Sequence, residues 1–151
     1  QVEESAVPPK VFLNSPLSHI AAQILNTKIK DILEEEGFTC ILPQEVLPPG
    51  QNADPVEVFR QNVEFVKHCD IVLSVLDAPG EGVIFELGVA HALGKPIIAF
   101  RSDRQSYLGK VIEGLWLALP EYQKATSLEE LKSRLKHFRA VRGVSHDESK
   151  S

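Results

Sequence analysis

The run Gly82-Val83-Ile84-Phe85-Glu86-Leu87-Gly88 sets one carboxylate among apolar neighbours, just behind the turn Asp77 to Gly82. Helix-forming residues continue to Leu93, so Glu86 falls on the first turn and a half of a helix. The helix dipole and free backbone N–H groups at such a position favour an ionised carboxylate, and that form is a nucleophile. Attack on an anomeric carbon would give a covalent glycosyl ester, the retaining route of glycosyl transfer. A Glu at a helix start also serves on a surface, complementing the dipole without doing chemistry. Pattern alone leaves both readings open.

Other polar residues fall where they could assist. Asn62 shares the helical stripe of Phe59, Val63, Val66 and Cys69, so it needs a partner or lines a cavity. Asp77 closes an apolar strand and is the nearest acidic candidate for proton transfer, with Glu81 behind it; a turn-forming Asp is the plainer alternative. Asn14, Ser15, Pro16 and Ser18 follow the first strand, where a strand-to-helix turn would meet a ligand, and are equally ordinary turn and cap residues. His19 and His91 read as packing or surface histidines, and Trp116 as core or interface. Cys40 and Cys69 have no CxxC partner, which suits small core residues in a reducing compartment.

The elements that must hold these groups are legible. Lys10 to Asn14 reads as a short buried strand stopped by Ser15-Pro16. Ser18 can cap the next helix, whose Ala22, Leu25, Ile29, Ile32 and Leu33 recur at helical spacing, with Gly37 as its C′ residue. Phe38 to Leu42 is a second strand, and Pro43 to Ala53 a long loop. Asp54-Pro55 starts a helix from Val56 to about His68, with Phe59, Val63, Val66 and Cys69 inward. Asp70 to Leu76 is a near-continuous apolar run of the kind buried on both faces of a parallel sheet. After the Glu86 helix, closed by Gly94, Lys95-Pro96 leads into the strand Ile97 to Phe100. A short helix near Val111, an apolar stretch Leu115 to Leu119 and a last helix with the capping box Ser127/Glu130 complete the order.

Alternating strands and helices imply an α/β fold, a doubly wound sheet of about five mostly parallel strands with helices on both faces. Ligands of such sheets bind beyond the carboxyl ends of the strands, near the point where strand order reverses. That rule gathers Asn14 to Leu17, Pro43 to Asp54 and Asp77 to Gly82 around one crevice. Residues 1–9 form a flexible lead-in, 10–139 one domain, and 140–151 a polar tail expected to be disordered. A net charge of −5 with no Lys/Arg stripe argues against a nucleic-acid polymer as ligand. No apolar run is long enough for a bilayer and no secretory h-region opens the sequence, so a cytoplasmic setting is expected.

The segment from Gly82 through Glu86-Leu87-Gly88 to Gly94-Lys95-Pro96-Ile97-Ile98 resembles the signature of the nucleoside 2-deoxyribosyltransferase family, which includes a deoxynucleoside-monophosphate N-glycosidase branch. The resemblance extends to the first strand with its Ser-Pro turn, to Asp70 and its strand, and to the final Ser-Leu-Glu-Glu-Leu helix. It implies a flavodoxin-like (Rossmann-like) fold and a nucleoside deoxyribosyltransferase that exchanges the base on a 2′-deoxyribonucleoside for a free nucleobase. It further implies Glu86 as nucleophile at C1′, acidic helpers beside it, no metal or organic cofactor, and a homo-oligomer in which neighbours complete each site, the region of Glu113 and Trp116 being the part lent.

Three positions depart from the family pattern. Phe12 stands where a Tyr is usual, Asn62 where an acidic residue is usual, and Gly80 where the turn usually carries Asp. Asn62 can hydrogen-bond a base or the nucleophile but is no conventional general acid, which leaves Asp77 for that task. Phe12, Asn14, Ser15, Pro16, Gly80, Glu81 and Gly82 are the expected substrate contacts. Two rival readings stand beside transfer: hydrolysis of deoxynucleosides or their 5′-monophosphates, and a binding or sensing module that kept the fold without the chemistry. The first βα turn, Asn14 to His19, has neither Arg nor Gly for a phosphate, which favours an uncharged nucleoside.

Overall fold

A computed structural model describes residues 7–46, 52–103 and 105–150, with the side chains of 142–150 left out. Five strands, β1 (Lys10–Asn14), β2 (Thr39–Ile41), β3 (Ile71–Val75), β4 (Ile97–Phe100) and β5 (Lys124–Ala125), form one sheet in the order β2-β1-β3-β4-β5. Every pairing is parallel. Helices α1 (Ile20–Glu35) and α6 (Leu128–Lys150) cover one face. Helices α3 (Pro55–His68), α4 (Glu81–Ala92) and α5 (Lys110–Ala118) cover the other. This is the doubly wound arrangement that the alternating pattern predicts, and the flavodoxin-like fold that the resemblance implies.

Strand alternation splits the core in two. Val11 and Leu13 of β1 pack with Ile29 and Leu33 of α1 and Leu131 and Leu135 of α6. Phe12 points the other way, among Val66, Leu87, Ala90 and Trp116. All five residues of β3 are buried, because this strand has neighbours on both edges and helices on both faces.

The punctuation residues act locally as their chemistry requires. Asp54 accepts from the Val56 N–H and Pro55 opens α3. Gly37 and Gly94 end their helices at φ of +85° and +69°, where a side chain would be strained. Ser127 Oγ accepts from the Glu130 N–H, while Glu130 reaches back to the N–H and hydroxyl of Thr126.

Several expectations are corrected. The α1 cap is His19, whose Nδ1 accepts from the Ala22 N–H, rather than Ser18. The stretch read as a loop from Pro43 begins with a short helix, α2 (Pro43–Val46), while 47–51 lie outside the described residues. Phe59 is 55% exposed rather than inward, its ring lying 5.9 Å from that of Phe85. Val111 and the apolar stretch after it form one helix, α5. Helix α6 runs past residue 140 to Lys150. Of the lead-in, only Val7 to Pro9 are described, without regular structure.

Candidate active site

Strand order reverses between β1 and β3, whose chains leave toward opposite edges, so a crevice opens beyond Asn14 and Val75. A cavity of about 580 Å³ lies there, lined by the β1–α1 turn, by Pro43, Asn62 and Ala78, and by the first turns of α4 down to Glu86. Four chain segments meet at this point: the β1–α1 turn, α2, α3, and the β3–α4 turn with the start of α4.

Glu86 is 8% exposed at the base of that cavity. Burial pushes its carboxyl up to about 7, against the opposing effect of a hydrogen bond from Asn62. The bond runs from Asn62 Nδ2 to Glu86 Oε1 at 2.8 Å. Glu86 is the sixth residue of α4, beyond the first turn where the dipole and free N–H groups act strongly. Desolvation therefore outweighs the helix end, and the expectation of a carboxylate ionised throughout is corrected: near pH 7 both forms are present. Asn62 Oδ1 is buried and has no partner among the described residues.

The start of α4 is pinned to the sheet. Asn14, wholly buried at the end of β1, donates to Ser74 Oγ at 3.0 Å and to the Val83 carbonyl at 2.9 Å. Val83 lies one turn before Glu86, so this clamp sets how far α4 reaches into the cavity. Ahead of it, Ala78 takes a φ of +48°, a left-handed conformation uncommon for a side chain with Cβ, in the turn that carries the chain over the site.

The expected site residues divide into three groups. Ser15, Pro16, Asn62, Gly80, Glu81, Gly82 and Glu86 line the one cavity. Asn14 lies behind that wall and acts on α4 instead. Phe12 and Asp77 are not brought in. Phe12 has no exposed surface and packs on Phe65 with ring centroids 5.9 Å apart, because its side of β1 faces α3. The Asp77 carboxylate turns to the loop after β4, accepting from the Ser102 N–H at 2.9 Å, the Ser102 hydroxyl at 2.6 Å and the Asp103 N–H at 3.1 Å. It is a loop anchor, and its assignment as proton shuttle loses its geometric basis.

Leu17, Ser18, His19, Pro43, Ala78 and Val83 complete the lining. Asn26 was overlooked, although it sits on the buried stripe of α1 four residues after Ala22 and three before Ile29. A polar residue on an apolar stripe is the signal that singled out Asn62, and it applied equally there. Trp116 is buried against the second core, while Glu113 pairs with Arg101 at 2.6 Å away from the cavity. Among the described residues no three His, Cys, Asp or Glu gather in a way that could hold a metal ion. No described helix is long and apolar enough to cross a membrane.

Comparison with known proteins identifies the family. A sequence model of the family described as nucleoside 2-deoxyribosyltransferase matches residues 11–148. A protein of Thermofilum pendens, whose assigned name is that of a 2′-deoxynucleoside 5′-phosphate N-hydrolase, is 27% identical over 111 residues, spanning 70% of this chain and 78% of that protein. A 5-hydroxymethyl-dUMP N-hydrolase of Rattus norvegicus is 36% identical over 73 residues, covering 46% of this chain and 45% of that protein. Among solved structures, the 2-deoxyribosyltransferase of Bacillus psychrosaccharolyticus superposes with a TM-score of 0.56 at 25% identity, over 66% of this chain and 77% of that one.

Proposed function

The chain belongs to the nucleoside 2-deoxyribosyltransferase family, and we propose that it transfers 2-deoxyribose between nucleobases through an ester on Glu86. The observation that carries this reading is the one carboxylate buried among the described residues, Glu86 in the cavity lining, hydrogen-bonded by Asn62 at 2.8 Å. An ionised Glu86 oxygen attacks C1′, the bond from C1′ to the base nitrogen breaks, and its electron pair leaves with the base. Positive charge develops at C1′ and the ring oxygen beside the buried Glu86 carboxylate, where that interaction is stronger than in bulk water. The departing base takes its proton from water. A nitrogen of the incoming base then attacks C1′, its N–H proton passes to the hydroxide left by that water, and the C1′–O bond breaks to release Glu86 as a carboxylate.

Hydrolysis of deoxynucleoside 5′-monophosphates is the second reading, favoured by the names of the two relatives above. Against it, the described lining contains Glu81 and Glu86 and no Lys or Arg, so a phosphate dianion would meet like charge without a cation. A homo-oligomer in the cytoplasm belongs to the proposed reading. Val56, Phe59 and Phe85, each about half exposed on neighbouring surfaces of α3 and α4, supply an apolar face for a second copy. Light scattering tests that part.

The deciding assay incubates the protein with a 2′-deoxyribonucleoside and a second free base, then separates products by chromatography. A new nucleoside supports transfer. Free deoxyribose without a new nucleoside, or cleavage confined to 5′-monophosphates, moves the assignment to hydrolysis. Binding without turnover of either substrate would leave a sensing module.

A further inference from the structure

Asn26 does not line the cavity, yet it decides how one wall presents itself. It is wholly buried on the second turn of α1. Its Nδ2 donates to the Pro16 carbonyl at 3.2 Å and to Gln44 Oε1 at 3.0 Å, and its Oδ1 accepts from the Ser15 hydroxyl. A peptide carbonyl can only accept, so the amide nitrogen must face Pro16 and the amide oxygen must face Ser15. Ser15 has a single hydroxyl proton. With that proton committed to Asn26, Ser15 Oγ offers the cavity only lone pairs.

Acceptors stand elsewhere around the cavity as well. Asn62 Oδ1 is a buried acceptor without a described partner, Glu86 is an acceptor once ionised, and Glu81 stands in the same lining. Asn62 Nδ2 spends one of its two protons on Glu86 Oε1, and further side-chain donors stand at the exposed mouth, at Ser18 and at His19, whose Nδ1 is occupied by the Ala22 N–H. Sugar hydroxyls donate, whereas a phosphate dianion only accepts. We propose that Asn26, acting through Ser15, is a specificity-determining residue that makes the cavity select an unphosphorylated nucleoside over its 5′-monophosphate. This rests on the reading of the cavity as a nucleoside site.

Calorimetry with a carbocyclic 2′-deoxynucleoside and its 5′-monophosphate tests it, since without the ring oxygen neither probe can form the cationic sugar and be turned over. The parent protein should bind the nucleoside more tightly. Asn26→Ala frees the Ser15 proton and Ser15→Ala removes the acceptor, so each should reduce the preference about tenfold, the effect of one hydrogen bond of mismatched polarity. Asn26→Asp keeps an acceptor toward Ser15 and should retain most of the preference, which a merely structural role would not predict. If Asn26→Ala loses its cooperative melting transition, Ser15→Ala carries the test.

An unchanged preference in both Ala variants overturns the inference while leaving Glu86 chemistry untouched. Tighter binding of the monophosphate by the parent also overturns it, whereas the base-exchange assay judges the transferase reading separately. A parent that binds neither probe overturns the inference and the nucleoside reading together.

Discussion

Asn62 Nδ2 lies 2.8 Å from Glu86 Oε1, across the gap between α3 and α4, and it is the side chain that holds the buried carboxyl in place. An amide donates to that oxygen without adding a second negative charge. It supports the ionised form but cannot supply a proton. The site therefore carries one inner titrating group, with its acid–base behaviour set by burial.

Activity should follow ionisation of Glu86. Its carboxyl, raised to about 7, is mostly protonated and non-nucleophilic at pH 6 and mostly ionised at pH 8. The kcat/KM for deoxynucleoside cleavage should climb about tenfold per pH unit well below pH 7 and level off above it. A profile flat from pH 5 to 8 would remove Glu86 from the role of nucleophile.

Replacing Glu86 by Gln should lower kcat by roughly a thousandfold or more, as expected when a nucleophile is lost, and should stabilise the fold at alkaline pH. The folded pKa of about 7 exceeds the ordinary 4.5, so the native state binds the proton more tightly than the unfolded chain. Stability then falls as pH rises from 4.5 toward 7, by at most about 3 kcal/mol from this group. Glu86→Gln, still able to accept from Asn62, should raise Tm at pH 8 by roughly 5 °C and leave it nearly unchanged at pH 4.5. Equal shifts at both pH values would contradict a buried, proton-linked carboxyl.

Asn62→Leu removes the interaction that favours the ionised form, leaving the desolvation cost unopposed. The acid limb of the rate profile should move to higher pH, with kcat at neutral pH falling roughly ten- to a hundredfold. A drop in rate with no movement of the limb would mean that Asn62 serves the substrate alone.

Asp77→Ala should act on the loop after β4 and spare the chemistry. Three hydrogen bonds to Ser102 and Asp103 are lost, costing about 2 kcal/mol in thermal denaturation. The kcat per folded molecule should stay within about threefold of the parent, because the proposed route takes no proton from this carboxylate. A loss of a hundredfold or more would restore Asp77 to the catalytic machinery.

Much of the fold was legible because its signals are local. The apolar run of β3, Asp54-Pro55 before α3, and Gly37 and Gly94 after their helices each express the conformational preference of one or two residues. Glu86 was legible for the same reason: a carboxylate flanked by Phe85, Leu87 and Gly88 behind a glycine-rich turn is a local anomaly. Asn62 and Asn26 both announce a need for partners by interrupting an apolar stripe.

Partners and side-chain directions were decided by the tertiary structure. Asp77 could face the cavity or the β4 loop, and the Ser102 and Asp103 donors, 25 and 26 residues away, draw it to the loop. Phe12 belongs to a strand buried on both faces, so nothing local says which face meets the cavity. The packing of α3 assigns it to Phe65. The charge state of Glu86 changed for the same reason, since helix-end electrostatics can be read along the chain while desolvation depends on what closes over the group from elsewhere. The sequence by itself determined most of the elements and singled out Glu86 as the candidate carboxylate, through local conformation and composition. Only the folded chain decided its pKa, its helper and the polarity of its walls, because these depend on contacts between residues far apart in sequence.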